Sequence, residues 1–588
     1  MTDRWDLSYL YKGFDDEAFL RDLSSLPEEA KGLSALVADE TLSPKERLLS
    51  AVEKSEALSR KADALSNYIQ CTLAVDAENA AANAAEDRLM AAWTEVSLAS
   101  SAMIRLIAGI LDLEAVIAGS ETLKNVAFAL REMREEAKHL IDEKVEPWIL
   151  EMQLSGGNAF SQLRDKLDST LLVEFRGEKL PLSAVRGKAY DRDPSVRKDA
   201  YEAELAAYPK IELPMGYCLN SIKMEARTLA KARGYDSVLE MTLADSRMDR
   251  ETLEAMFTAV REALPDFRCY LRAKGKYLGH PDGLPFYDLF APVGENTKTY
   301  TAEEARSLLL KEMKEFTPDM AAFIDHAFEH GWIDLYPRPG KTGGAFCSSV
   351  HFADRSLVMS NFQGSFSDVS TLAHELGHAW HNRCLAGLPY LLIDTPMPLA
   401  ETASIFNETL LSWQVRQSAS PEEQLTLLES GIMEATQTVV DIYSRFLFET
   451  RVVDTRADHA MNVEELKEAM LWAQEESYGD GLAKEARHPY MWACKSHYYS
   501  SGYNFYNFPY CFGLLFGKGV FARWQKEGSA FVPEYCRMLR LCGSAAVADV
   551  AKSVGIDVRD TSFWRESLSV VRREIDEFCR LADQGGTI

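Results

Sequence analysis

Between Ser43 and about Ser169 the chain has almost no proline, and its Ala, Leu, Glu, Lys and Arg residues set apolar positions three to four apart. That period belongs to the α-helix, so the stretch predicts several long helices and leaves little room for a sheet-based fold. Helical patterning resumes from Pro194 to Tyr277 and, after Gly and Pro punctuation between Gly279 and Gly294, continues to about Gly331. With 588 residues, 47% of them hydrophobic, the chain can bury such helices in one very large domain or a few ordinary ones.

Two stretches break the pattern. From Leu171 to Leu182 an Arg176-Gly177-Glu178 turn separates two apolar runs and reads as a hairpin or a boundary. It sets an expected division into an N-terminal helical domain, residues 1–185, and a second domain, residues 186–588. From Trp332 to Phe362, three runs rich in apolar and β-branched residues lie between turn residues and predict a small three-stranded sheet over about 332–362. The apolar stretch around Met103 to Gly119 is broken by Arg105, Asp112 and Glu114. It falls short of the roughly 20 apolar residues of a membrane span and reads as a buried helix.

Charge and cysteine usage narrow the class of function. Asp and Glu outnumber Lys and Arg by 90 to 64, a formal charge of -26 without any basic cluster, which repels a nucleic-acid backbone. The N-terminal residues show no basic region followed by an apolar core, so neither export nor a membrane anchor is expected. Ten cysteines are scattered without a CxxC pair, as reduced thiols of a cytoplasmic protein would be.

Chemistry concentrates directly after the predicted sheet, in Ser367-Asp-Val-Ser-Thr-Leu-Ala-His-Glu-Leu-Gly-His-Ala-Trp-His381. Val369, Leu372, Ala373, Leu376, Ala379 and Trp380 form one apolar stripe of a helix over about 368–382, with Ser367 or Asp368 as its cap. His374 and His378, four apart, leave the same polar face one turn from each other, as two ligands of a single zinc ion require. Glu375 is rotated by about 100 degrees and flanks the metal without binding it. A third ligand is expected from Pro398 to Trp413, read as a second amphipathic helix in which Glu401 and Glu408 share a face two turns apart. Glu401 then completes a set of two imidazoles and one carboxylate, while Glu408, and Asp368 beside it, are placed around the ligands as hydrogen-bonding support. His139, His280, His326, His330, His459 and His488 have no partner at ligand spacing and read as solvated or packed. His381 is expected to line the cleft, and His351 faces either substrate or core.

The segments His374-Glu-Leu-Gly-His-Ala-Trp-His381 and Ala400-Glu-Thr-Ala-Ser-Ile-Phe-Asn-Glu408 resemble the active-site region of the oligoendopeptidase F and thimet oligopeptidase family of zinc peptidases. Trp5-Asp-Leu-Ser-Tyr-Leu-Tyr, Arg197 after Pro-Ser-Val, Gly343-Gly-Ala-Phe-Cys and Asn361-Phe362 are similar to the oligoendopeptidase F branch, so the likeness spans most of the chain. The resemblance implies a mainly α fold with two helical halves flanking a deep channel that admits short unfolded oligopeptides and excludes folded proteins. It also marks His497, Tyr503 and Tyr510 as donors to the substrate carbonyl. Here the sequence departs from the thimet branch: the spacing from His497 to Tyr503 is one residue longer, and Asn507 stands where that branch has a further Tyr.

Together these readings predict an endopeptidase with one zinc ion per chain and Glu375 as general base. An extended peptide would pair either with a strand within Ser356 to Phe362 or with the backbone at Gly343, Gly344 and Ala345, near Asn361. A zinc carboxypeptidase or dipeptidase of related fold, and a non-catalytic peptide-binding protein, are the competing readings.

Overall fold

The expected helices form in the computed structural model, which describes residues 3–142, 144–294 and 298–585. Three long helices, Glu17–Ala38, Pro44–Val75 and Ala80–Gly109, pack around Leu26, Leu48, Leu65, Ile69 and Ile107 as an N-terminal core. Ser43 starts the second of them through a reciprocal capping box with Glu46. The stretch from Met103 to Gly119 is not one buried helix: the chain leaves the helix after Gly109, and Asp112 caps a new short helix, Leu113–Ala118. The same acidic residue that rules out a membrane span thus also restarts the helix.

The expected hairpin is present as β1 (Leu172–Phe175) and β2 (Glu178–Pro181), paired antiparallel. Arg176 and Gly177 both have positive φ, 48° and 85°, the turn geometry that matches the twist of a tight hairpin. Its inward Val173 packs with Val185, Tyr208 and Leu219, and with Phe448, Trp492 and Tyr498 from the C-terminal part of the chain. The division expected at residue 185 therefore runs through a shared core. Arg197 is buried in the same region and pairs with Asp288 at 2.6 Å, a structural role for a residue that carried part of the family resemblance.

A third and largest core runs from Ala226 to Ala582 and holds the helices around the histidine motif. Against it lies the small sheet: β3 (Ile333–Asp334), β4 (Phe346–Val350) and β5 (Arg355–Met359), in the order β3-β5-β4. β5 runs parallel to β3 and antiparallel to β4, so it has a neighbour on each side and β4 is an edge. Trp5 packs on Phe346 and shares a small core with Cys71, Ala74, Val350, Leu357 and Met359, which ties the N-terminal helices to the sheet. Among the described residues no helix is long and apolar enough to cross a membrane, and all ten cysteines are unpaired.

The loop between β3 and β4 is fixed by a buried ionic knot. Asp334 accepts from Arg338 at 2.6 and 2.8 Å and from Lys341 at 2.6 Å, and Lys341 also donates to the carbonyls of Tyr336 and Ser360. Leaving one buried charge without its partners is far costlier than removing both. Asp334→Ala is therefore expected to lower the unfolding free energy by about 3–5 kcal/mol, read as a reduced urea midpoint.

Candidate metal centre

From β5 the chain passes directly into the motif helix, Phe366–Leu385. Its cap is Ser365, not Ser367 or Asp368. The Ser365 hydroxyl accepts from the Asp368 N–H at 3.1 Å, and the Asp368 carboxylate accepts from the N–H groups of Ser365 and Gln363 at 2.9 and 3.0 Å. Asp368 thus serves the helix start, and its bonds do not go to an imidazole. The apolar stripe is as expected: Val369, Leu372, Ala373, Leu376, Ala379 and Trp380 are buried, and His374 and His378 project from the opposite side.

The segment bearing Glu401 differs from the single helix read from its pattern. A one-turn helix, Met397–Ala400, stops at Glu401 (φ −87°, ψ 2°), and the glutamate helix Thr402–Arg416 begins after it. Glu401 sits in the break, where Ser404 Oγ donates to its Oε2 at 2.8 Å. Both carboxylates still reach His374, from opposite sides: Glu401 Oε2 lies 3.3 Å from Nε2 and Glu408 Oε1 lies 3.1 Å from Nδ1.

Gly377 makes this approach possible. A Cβ there would stand 2.6 Å from the Ala403 carbonyl oxygen and 2.6 Å from Ser404 Cα, so the two helices cross backbone to backbone. On the far side of Glu401 lies the tyrosine helix, Phe508–Glu527, where a Cβ at Gly513 would meet Glu401 Cβ at 3.0 Å. Glycines on both sides thus let three helices close on one carboxylate.

The three candidate donors are tightly grouped. His374 Nε2 and His378 Nε2 are 3.2 Å apart, and Glu401 Oε2 is 3.3 and 3.4 Å from them. Ligand atoms at about 2.0–2.1 Å from a tetrahedral ion stand about 3.3 Å from one another, so the side chains fit a single divalent cation. Burial works against a charge on His374, but the Glu401 and Glu408 carboxylates outweigh it and raise that imidazole to about 11. Burial alone would raise Glu401 too, yet the two imidazoles hold it well below the carboxylate range. Such a cluster calls for positive charge at its centre. Glu375, one position along and buried, makes no side-chain hydrogen bond among the described residues. Burial raises its carboxyl against the pull of His374 and His378. Burial, and then the Glu375 charge, push the Cys347 thiol on β4 up.

Residues 188–570 match the model of peptidase family M3, and residues 112–172 that of oligopeptidase F. The chain belongs to peptidase family M3. This M3 metallopeptidase is 23% identical to oligopeptidase PepF of Bacillus subtilis, over 98% of its own length and 86% of that protein. Its fold is that of a Chlamydophila abortus protein described as a peptidase, with a TM-score of 0.86 at 22% identity over 98% of both chains. It also matches oligoendopeptidase-F of Enterococcus faecium, with a TM-score of 0.72 at 18% identity over 97% of this chain and 99% of that one.

The remaining expected residues of this peptidase sit in different surroundings. Tyr510, on the tyrosine helix, feels the Glu401 charge, and its hydroxyl is 2.8 Å from that of Tyr506. Burial, then Tyr506 and Glu401, push the Tyr510 phenol up, so it stays a donor. Tyr506 was not singled out by sequence; its i, i+4 spacing to Tyr510 was the available signal. Tyr503 is 64% exposed, with its ring 6.0 Å from that of Tyr506. His497 Nε2 is buried without a protein partner, and burial together with Arg445, Lys495 and Lys223 lowers the imidazole to about 2, leaving it neutral. Asn361 donates to the carbonyls of Thr342 and Gly344, both at 2.9 Å, so its amide braces the glycine loop. Gly343 and Gly344 are exposed, and Gly344 has φ +83°.

Two histidines leave the site. His381 is buried against the Leu539 carbonyl at 3.2 Å and does not line the cleft, while His351 bonds the Leu388 carbonyl at 2.7 Å beside Tyr390. The six histidines read as packed or solvated include a stacked His326–His330 pair and a buried His488 bonded to Glu204.

The crossing at Gly377 gives a direct prediction. Gly377→Ala adds a methyl against the Ala403–Ser404 backbone, which must move back and carry Glu401 away from the imidazoles. The variant is expected to fold but to retain less than about a tenth of the bound metal under mild dialysis, as elemental analysis would measure.

Proposed function

We propose that this peptidase is a zinc-dependent endopeptidase acting on short unfolded oligopeptides, with one zinc ion per chain held by His374, His378 and Glu401. The spacing of the three donor atoms, 3.2 to 3.4 Å, carries this reading. Two imidazoles and one carboxylate suit zinc, and three protein ligands leave a position open for chemistry. Glu408, bonded to His374 Nδ1, fixes the tautomer that presents Nε2 to the ion.

Zinc, when bound, supplies the Lewis acidity that polarises a peptide carbonyl and makes an attacking water easier to deprotonate. Glu375 takes that proton on its carboxylate and delivers it to the leaving nitrogen. Its unpartnered, buried carboxyl is suited to both, since a base already hydrogen-bonded would have to give up that bond first. The hydroxyls of Tyr510 and Tyr506 and the neutral His497, together with exposed Tyr503, donate to the carbonyl oxygen as charge grows on it.

Substrate affinity is assigned to the edge of β4. The strand first expected for this role, within Ser356 to Phe362, is β5, and both its edges are already paired. In β4 the Ser349 carbonyl points away from β5 to accept from Asn67 at 3.0 Å. Antiparallel alternation then turns the N–H and C=O of Cys347 and Ala345 the same way, toward an incoming extended peptide. Main-chain pairing demands little of the peptide's sequence. PepF of Bacillus subtilis is named an oligopeptidase, and similar substrates are proposed here. Ten thiols, none bridged, suit a reducing compartment such as the cytoplasm.

The deciding experiment is incubation with an internally quenched, end-blocked oligopeptide, with and without a chelator, and mass spectrometry of the products. Internal cleavage abolished by the chelator and restored by zinc is expected; cleavage only from an unblocked end would overturn the endopeptidase reading. Glu375→Gln should keep stoichiometric metal while kcat falls by at least about 100-fold. At Gly343 a Cβ meets nothing within 4 Å and φ is unstrained. Gly343→Val should therefore leave folding intact and raise KM several-fold if the peptide backbone passes there; an unchanged KM moves the peptide elsewhere.

A further inference from the structure

Two charges lie deep inside the protein beneath the His497 to Tyr510 segment. Lys223, on the helix Glu212–Ala232, and Glu449, on the helix Ile442–Thr455, meet at 2.6 Å with side chains 0% and 3% exposed. Burying such a pair gives no assured gain in stability over well-packed apolar residues. What distinguishes this pair is where its remaining hydrogen bonds go. Lys223 Nζ donates to Asn504 Oδ1 at 3.0 Å, and Glu449 Oε1 accepts from the Phe505 N–H at 3.0 Å. Phe505 is held at φ +52°, a left-handed conformation that a bulky residue adopts only when its surroundings impose it. Its ring is buried against Phe446, and Thr242 Oγ1 donates to the Asn504 carbonyl at 3.2 Å. Tyr503 lies just before this turn and Tyr506 just after it. Past Tyr506 a second charged anchor takes over, Arg445 donating to Asn507 Oδ1 at 2.9 Å.

We infer that Lys223 and Glu449 are positioning residues: the buried pair imposes the left-handed turn at Asn504–Phe505 and thereby aims the Tyr506 and Tyr510 hydroxyls at the donor cluster. The inference rests on the catalytic role proposed for those hydroxyls. Neither residue touches substrate. Their effect passes through the backbone of Phe505, so the acceptor on Glu449 matters separately from its charge.

Hydrogen exchange and kinetics together test this. The Phe505 amide of the wild-type protein should exchange at least about 100-fold more slowly than an exposed loop amide; fast exchange overturns the inference whatever the protein's activity. Three variants then separate positioning from stability. Glu449→Ala leaves Lys223 buried and alone, and both Tm and kcat should fall. Lys223→Met/Glu449→Leu removes both charges and the acceptor. Its Tm should recover, while kcat stays down by on the order of 100-fold with KM changed less and metal retained. Lys223→Met/Glu449→Gln also removes both charges but keeps a carbonyl opposite Phe505, and should recover both Tm and most of kcat. If the Leu-bearing double variant is as active as wild type well below its Tm, the pair is only structural. Absence of peptide cleavage by the wild-type protein would instead refute the functional reading, leaving the Phe505 exchange result to stand alone.

Discussion

Three electron-rich atoms held 3.2 to 3.4 Å apart repel one another unless positive charge lies among them. Much of the C-terminal architecture can be understood as the means of keeping them there. The motif helix supplies two atoms by helical periodicity alone. The third needs a second backbone to come almost into contact with the first, which Gly377 permits and the helix break at Glu401 exploits. A continuous helix would fix the Glu401 side chain by the same period as its neighbours; the break frees its direction.

Burial also shifts the protonation of several of the expected side chains. Burial raises Glu375 and Tyr510, while it lowers His497 with help from three nearby cations. The outcome is a carboxyl whose proton affinity is increased, a phenol that keeps its proton and an imidazole that carries no charge. At His497 burial is the leading cause, and the Arg445, Lys495 and Lys223 charges add to it.

How much of this was readable in sequence depended on the range of the interaction. The helix at 366–385, the ligand spacing of His374 and His378 and the hairpin at Arg176-Gly177 follow from residues a few positions apart, and they were legible. Glu401 was legible as a residue but not as a helix break, because Ala400 and Thr402 carry no helix-stopping signal. The cap moved from Ser367 to Ser365 because several capping residues stand in a row. Strand order was not legible at all: alternation marks β4 and β5 alike, and only tertiary pairing makes one central and the other an edge. Tyr506 was hidden in an aromatic run whose ordinary use is packing, and Lys223 and Glu449 are 226 residues apart.

The edge strand β4 is also tied to the N-terminal core. β4 is anchored at one end by Asn67 on a helix of the N-terminal core and at the other by the glycine loop that Asn361 and Lys341 brace. A displacement of the N-terminal helices would therefore shift the strand relative to the motif helix. Trp5, far from the histidines in sequence, adds to the same coupling, since it is buried against Phe346 at the start of that strand.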